Sequence, residues 1–348
     1  MRRVAMKAGW LFLAALLLLS VSGCGGSGTS APPPAAFTIT LATNDLVYNP
    51  FDGYIYASVP SREGVNGNSV ALINPVSGAV GPYIFVGSEP GKLALSDDGS
   101  YLYVALDGSA EVARLDLLPA TPVADIRFSL GSDPTFGPYY VDDMAVLPSN
   151  PRSVAVSRKV LGVSPRHAGV AVYDDGAIRT TVTPGATGSN VITFAGSPTT
   201  LYGYNNETSL FGFYRMAIDA SGVTVTDVTQ SLISGYNVDI TSDGTFIYAT
   251  SGQVIDPRPA TPSLVATIPG MGATTLVAPD PVGRIIFYLT GTIPTIYSYD
   301  LDTYVLLGSS DILGISGVTS SLIDLGIGLA FRTDTDQVVV LPNAVLPY

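Results

Sequence analysis

Residues 91–131, GKLALSDDGSYLYVALDGSAEVARLDLLPATPVADIRFSLG, decide how the chain is read. The stretch holds four short strand-like runs, KLALS, YLYVAL, EVARLDL and ADIRFSL. Asp98-Gly99 separates the first two, Asp107-Gly108 the next two, and a proline-bearing loop the last pair. Asp-Gly pairs supply the left-handed backbone that a tight hairpin requires. The segment therefore predicts a four-stranded antiparallel unit.

The unit recurs. Its first turn is matched at Asp52-Gly53, Asp98-Gly99, Asn150-Pro151, Ser197-Pro198, Asp243-Gly244, Val282-Gly283 and Leu325-Gly326, at spacings of 39 to 52 residues. Four-stranded repeats of this period point to an all-β ring of sheets, a β-propeller. Seven anchors predict seven blades; six or eight blades, or a tandem of β-sandwiches, are the alternatives. The last unit offers only three runs, SSLIDL, GLAFRT and QVVVLP, whereas FTITL at 37–41 belongs to no unit. We expect this N-terminal strand to complete the seventh blade, which removes an open sheet edge that invites aggregation.

Residues 86–117 resemble the YVTN-type β-propeller repeat of the lactonase-like and quinoprotein-like seven-bladed folds. The resemblance rests on the turn Gly87–Pro90, the apolar run Leu93–Leu95, the turn Ser96–Gly99, the strand Tyr101–Val104, and Asp116 closing the third strand. It is partial in blades five and six and weak in three and four. It implies a propeller and says almost nothing of activity. Related lactonases work with charged groups at the mouth of the central channel, and no motif here carries such a residue over. A quinoprotein needs a tryptophan-lined pocket, and the only tryptophan, Trp10, lies in the N-terminal leader.

That leader reads as an export signal. Arg2, Arg3 and Lys7 precede an apolar run at 10–19, too short for a bilayer span of about 20 residues. Val21-Ser22-Gly23-Cys24 resembles a bacterial lipobox, which implies cleavage before Cys24 and its conversion to a lipid-bearing N-terminus, with palmitate as a typical acyl chain. Residues 1–23 are thus expected to be signal peptide, 24–36 a Gly/Ser/Pro-rich tether and 37–348 the propeller. The membrane is then a partner through Cys24, and the propeller stands in the periplasm or at the cell surface. Cys24 is the only cysteine, so the chain forms no internal disulfide framework.

The chain carries 16 Lys+Arg against 28 Asp+Glu; without residues 1–23 the balance becomes 13 against 28, a net charge of −15. Such a surface repels nucleic acid. Turn-forming Asp, Gly, Pro, Ser and Thr alternate with Val, Ile, Tyr and Phe, as strands and turns require.

Against that acidic background, Arg158, Lys159, Arg166 and His167 gather around one loop expected between two strands at 154–176. The same end of the propeller should carry Tyr139-Tyr140, Asp142-Asp143, and Asn205 and Asn206 of GYNNET. Basic groups beside carboxylates and amides suit a glycan or a peptide carboxylate. Arg158, Arg166, His167, Asp142, Asp143, Tyr139, Asn205 and Asn206 are therefore the candidate ligand residues; the alternative is that Arg166 pairs with an inner aspartate and the loop is packing. Asp97-Asp98, Asp243 and Asp280 read as hairpin residues. RTDTDQ at 332–337 lacks the glycine and distal glutamate of a calcium loop. His167 is the only histidine, which excludes a histidine-rich metal site. Asn206-Glu207-Thr208 matches a glycosylation sequon.

These observations favour a non-catalytic binding or protein-interaction module of the cell envelope, with no catalytic residue, metal or cofactor assigned. Its partner would be an envelope protein, peptide or glycan. A lactonase-like or other propeller enzyme and an envelope-assembly scaffold are the alternatives.

Overall fold

The computed structural model describes residues 35–348. The expected signal peptide, Cys24 and most of the expected tether lie outside the described residues. Seven four-stranded antiparallel sheets form the body, each running from an inner strand A to an outer strand D. The inner strands are Asp45–Asn49, Pro90–Leu95, Tyr140–Leu147, Val191–Phe194, Ile240–Ser242, Leu276–Asp280 and Thr319–Asp324. We call the end at which they begin the upper face; the A–B and C–D turns lie on the lower face.

All seven expected first turns sit at or within two residues of an A–B connection. The lower-face aspartates act as turn residues. Asp98 accepts the Ser100 N–H (3.0 Å), Asp243 those of Thr245 and Phe246 (2.7 Å each), and Asp280 that of Gly283 (2.7 Å). Tyr56 and Tyr248 on two B strands donate their hydroxyls to Asp52 (2.6 Å) and Asp243 (2.8 Å), tying strand to turn. The Asp107-Gly108 turn differs from expectation, because the left-handed residue there is Ala110 (φ +56°). Gly108 is required for space instead: a Cβ at that position would collide with Ser88 Oγ.

The blades bury their faces against one another rather than around a single centre. Seven apolar clusters form, one per blade interface, such as Tyr56, Val70, Leu93 and Leu102 between blades one and two. Between blades six and seven Phe287, Leu289, Phe331 and Leu341 meet in the same way. Each apolar strand is covered on both sides, which explains its continuous rather than alternating burial.

The ring closes as expected. Phe37–Thr40 is the outer strand of blade seven, pairing antiparallel with Gln337–Pro342 in the register Phe37↔Val340 to Thr40↔Gln337. Leu41 follows, 2% exposed, in the cluster between blades seven and one. The 332–337 segment is the B–C hairpin of that blade, with Asp336 paired to Arg62 at 2.6 Å.

Candidate functional site at the channel mouth

The inner strands surround a central channel whose cavity is about 540 Å³. Its chemistry comes from a simple rule of position. Near the start of four inner strands, a charged residue directly before an apolar one lines the upper mouth. In DLV, KLA, DMA and DIT that residue is Asp45, Lys92, Asp143 and Asp239. Arg332, from strand B of blade seven, joins them.

Three inner strands are bulged at this end. Pairing skips between Pro90 and Leu93, between Val141 and Asp143, and between Ser320 and Ile323. A bulge leaves an unpaired residue and re-aims its side chain. Lys92, Asp142 and Ser321 occupy these places. The bulge at Asp142 lets two consecutive aspartates serve different surroundings: Asp143 lines the channel and Asp142 the flank.

Lys92 Nζ stands 3.0 Å from Asp143 Oδ1, and Asp143 Oδ2 accepts the Ile192 N–H of the next blade (2.8 Å). Asp143 is 4% exposed. Burial, with Asp239 adding repulsion, pushes its carboxyl up to about 6, although Lys92 pulls the other way. Asp143 in turn holds the Lys92 ammonium above its ordinary range. Both groups are ionised at neutral pH. The Lys92 side chain nevertheless remains 37% exposed, open to water within the channel.

On the neighbouring side Asp45 accepts the Leu93 N–H (2.9 Å) and the Ser321 hydroxyl (2.6 Å). Arg332 donates to the Thr43 carbonyl (2.9 Å) and to Ser321 Oγ (3.3 Å). Asp239 is different. Its Oδ1 accepts only the adjacent Ile240 N–H (2.7 Å), and among the described residues no donor meets Oδ2 and no cation pairs with it.

The residues singled out from sequence divide into three groups. Asp143 lines the channel. Asp142 and Arg166 belong to a flanking cluster in which Arg166 Nε lies 3.1 Å from Asp142 and Arg166 Nη1 3.7 Å from Glu207. The Asn190 amide donates to both carboxylates (3.2 and 3.1 Å), and Lys159 adds a contact of 3.6 Å to Asp142. Both carboxylates are nearly covered, and their charges are met by their own neighbours.

The remaining residues are built into the body. Arg158, 7% exposed, lies 4.5 Å over the Tyr139 ring and donates to the carbonyls of Gly169, Leu130 and Ala168. Asn205 accepts the N–H groups of Glu207 and Thr208, and Asn206 donates to the Val238 carbonyl (3.0 Å). His167 opens strand C of blade three, opposite Lys159, rather than lying in the loop. It is 3% exposed, and neither ring nitrogen has a partner. Burial pushes its pKa down to about 4. The loop above presses on it so closely that a Cβ on Gly188 would collide with Nε2.

Sequence reading missed Asp45, Lys92, Asp239 and Arg332. For the first three the available signal was a charged residue ahead of the apolar run, which recurs in four of the seven inner strands; Arg332, on a second strand, carried none. Among the described residues no group of three His, Cys, Asp or Glu is placed to hold a metal ion.

No protein-family model matches the chain, and no curated protein matches it. Solved structures do. The chain is similar to Kuenenia stuttgartiensis hydrazine synthase, with a TM-score of 0.64 and 14% identity over 87% of this chain and 96% of that one. It is similar also to the β-propeller domain of Myceliophteria thermophila Cps50 (Swd1), with a TM-score of 0.65 and 14% identity over 88% and 99%. The fold is a seven-bladed β-propeller. At such identity the likeness concerns fold alone, since one fold serves many functions.

Proposed function

We propose that this chain is an exported lipoprotein, held to a membrane through Cys24, whose propeller is a non-catalytic binding module with its ligand site at the channel mouth. The observation that carries the site is the cavity of about 540 Å³ ringed by Asp45, Lys92, Asp143, Asp239 and Arg332. Ligand pockets typically measure about 300–1,000 Å³ and hold a few convergent polar groups. The flanking Asp142–Arg166–Glu207 cluster is closed on itself and fits less well as the primary contact.

Two measurements test the two halves of this reading. Cys24→Ser should abolish palmitate labelling and release the protein from the membrane fraction; continued labelling refutes the anchor. Cross-linking in the native envelope should capture a partner, peptide or glycan with the native chain and lose it with Asp239→Asn, while the thermal melt stays within a few degrees. Capture indifferent to channel substitutions refutes the site. The charged mouth also favours a second reading, a lactonase-like enzyme. Lactone hydrolysis abolished by Asp143→Asn would move the chain to that class.

A further inference from the structure

We infer that the channel mouth takes a cationic organic ligand, an aliphatic amine whose ammonium group is seated on Asp239. The inference rests on the mouth being the ligand site and names the chemistry it accepts. Three carboxylates and two cations line the cavity, leaving one negative charge in excess. The two cations are already engaged. Lys92 is held by Asp143 at 3.0 Å, and Arg332 is joined to Asp45 through the Ser321 hydroxyl. These four groups occupy blades seven, one, two and three. Asp239, on blade five, lines the cavity, and among the described residues no protein donor meets its Oδ2.

An anionic ligand would have to draw Lys92 or Arg332 away from its partner and would approach Asp239 with like charge. An ammonium group meets the Asp239 carboxylate with only the like charge of Lys92, already held by Asp143, to oppose it. It supplies the missing counter-charge, and charged hydrogen bonds of this type are among the stronger ones. The wall beside Asp239 is formed by Ile240, Thr241, Leu276 and Val277, which suits a hydrocarbon chain carrying the amine. The raised carboxyl of Asp143, to which Asp239 contributes, agrees with an excess of negative charge at the mouth. The net charge of −12 draws cations towards the protein from solution.

The test is calorimetric titration of the mature lipidated protein in detergent with 1,5-diaminopentane, succinate and glucose as cationic, anionic and neutral probes. The diamine should bind and the other two should not. Asp239→Asn should weaken diamine binding at least tenfold with an unchanged melt. Lys92→Met, which removes a like charge, should tighten it. Diamine binding that ignores both substitutions, or no binding of any probe, overturns the inference. Succinate binding that is lost in Lys92→Met overturns the ligand class while upholding the mouth as the site. Should Asp239→Asn fail to fold, the direction of change in Lys92→Met decides the matter alone.

Discussion

Replacing His167 by leucine should flatten part of the protein's acid sensitivity. The imidazole is 3% exposed, lacks a partner at both nitrogens, and faces Asp142, Arg158 and Arg166. Burial is the main cause that lowers its pKa from 6.5 to about 4, with the two arginines adding and Asp142 opposing. The unfolded chain therefore binds a proton that the folded chain refuses between those values. The stabilising contribution of neutral His167 is fully present above pH 6.5 and is lost as pH falls towards 4. Linkage gives a loss of about 2.5 kcal/mol at pH 4.5 relative to pH 7.5. Urea unfolding at a series of pH values measures it. His167→Leu should match the native chain within about 1 kcal/mol at pH 7.5, and gain on it by about 2.5 kcal/mol at pH 4.5. Shared carboxylate effects cancel in the difference. Parallel stability curves for the two proteins would refute the reasoning.

Other expectations concern closure and packing. Leu41→Ala should cost about 2–5 kcal/mol in chemical unfolding, and removal of residues 37–41 should lower the melting temperature of the whole body and promote aggregation; an unchanged melt would show that the ring does not depend on this strand. Gly188→Ala should destabilise by about 1–3 kcal/mol because its methyl meets the His167 ring, and His167→Ala in the same chain should recover part of that loss. Strict additivity of the two changes would contradict the contact.

The ring was legible in the sequence because each blade writes its own turn. Asp52-Gly53, Asp98-Gly99 and Asp243-Gly244 are local signals, and local hydrogen bonds to the aspartate oxygens are what they encode. The closing strand was legible by subtraction, since FTITL had no partner among its neighbours. The mouth was not. Asp45, Lys92, Asp239 and Arg332 come from segments far apart in the chain, and only the ring brings them together. The bulges that re-aim Lys92 and Asp142 leave no mark in composition. His167 and Arg158 looked like loop ligands because charge clustering says nothing about depth. Their burial depends on the Tyr139 ring and the Gly188 loop, which reach them through tertiary packing.

The pairing of Phe37 with Val340 joins positions roughly 300 residues apart. Made first, the strand at 37–40 finds its partner only when the chain is almost finished. Through synthesis and any directional passage across a membrane, FTIT stays without its ladder, and its alternation of Phe and Ile with two threonines keeps one side polar in the meantime. Long-range pairing of this kind is slow to form and leaves edges exposed until it does. Closure of blade seven thus waits on a strand made roughly 300 residues earlier, and a chain cut short before Gln337 leaves residues 37–40 without their ladder.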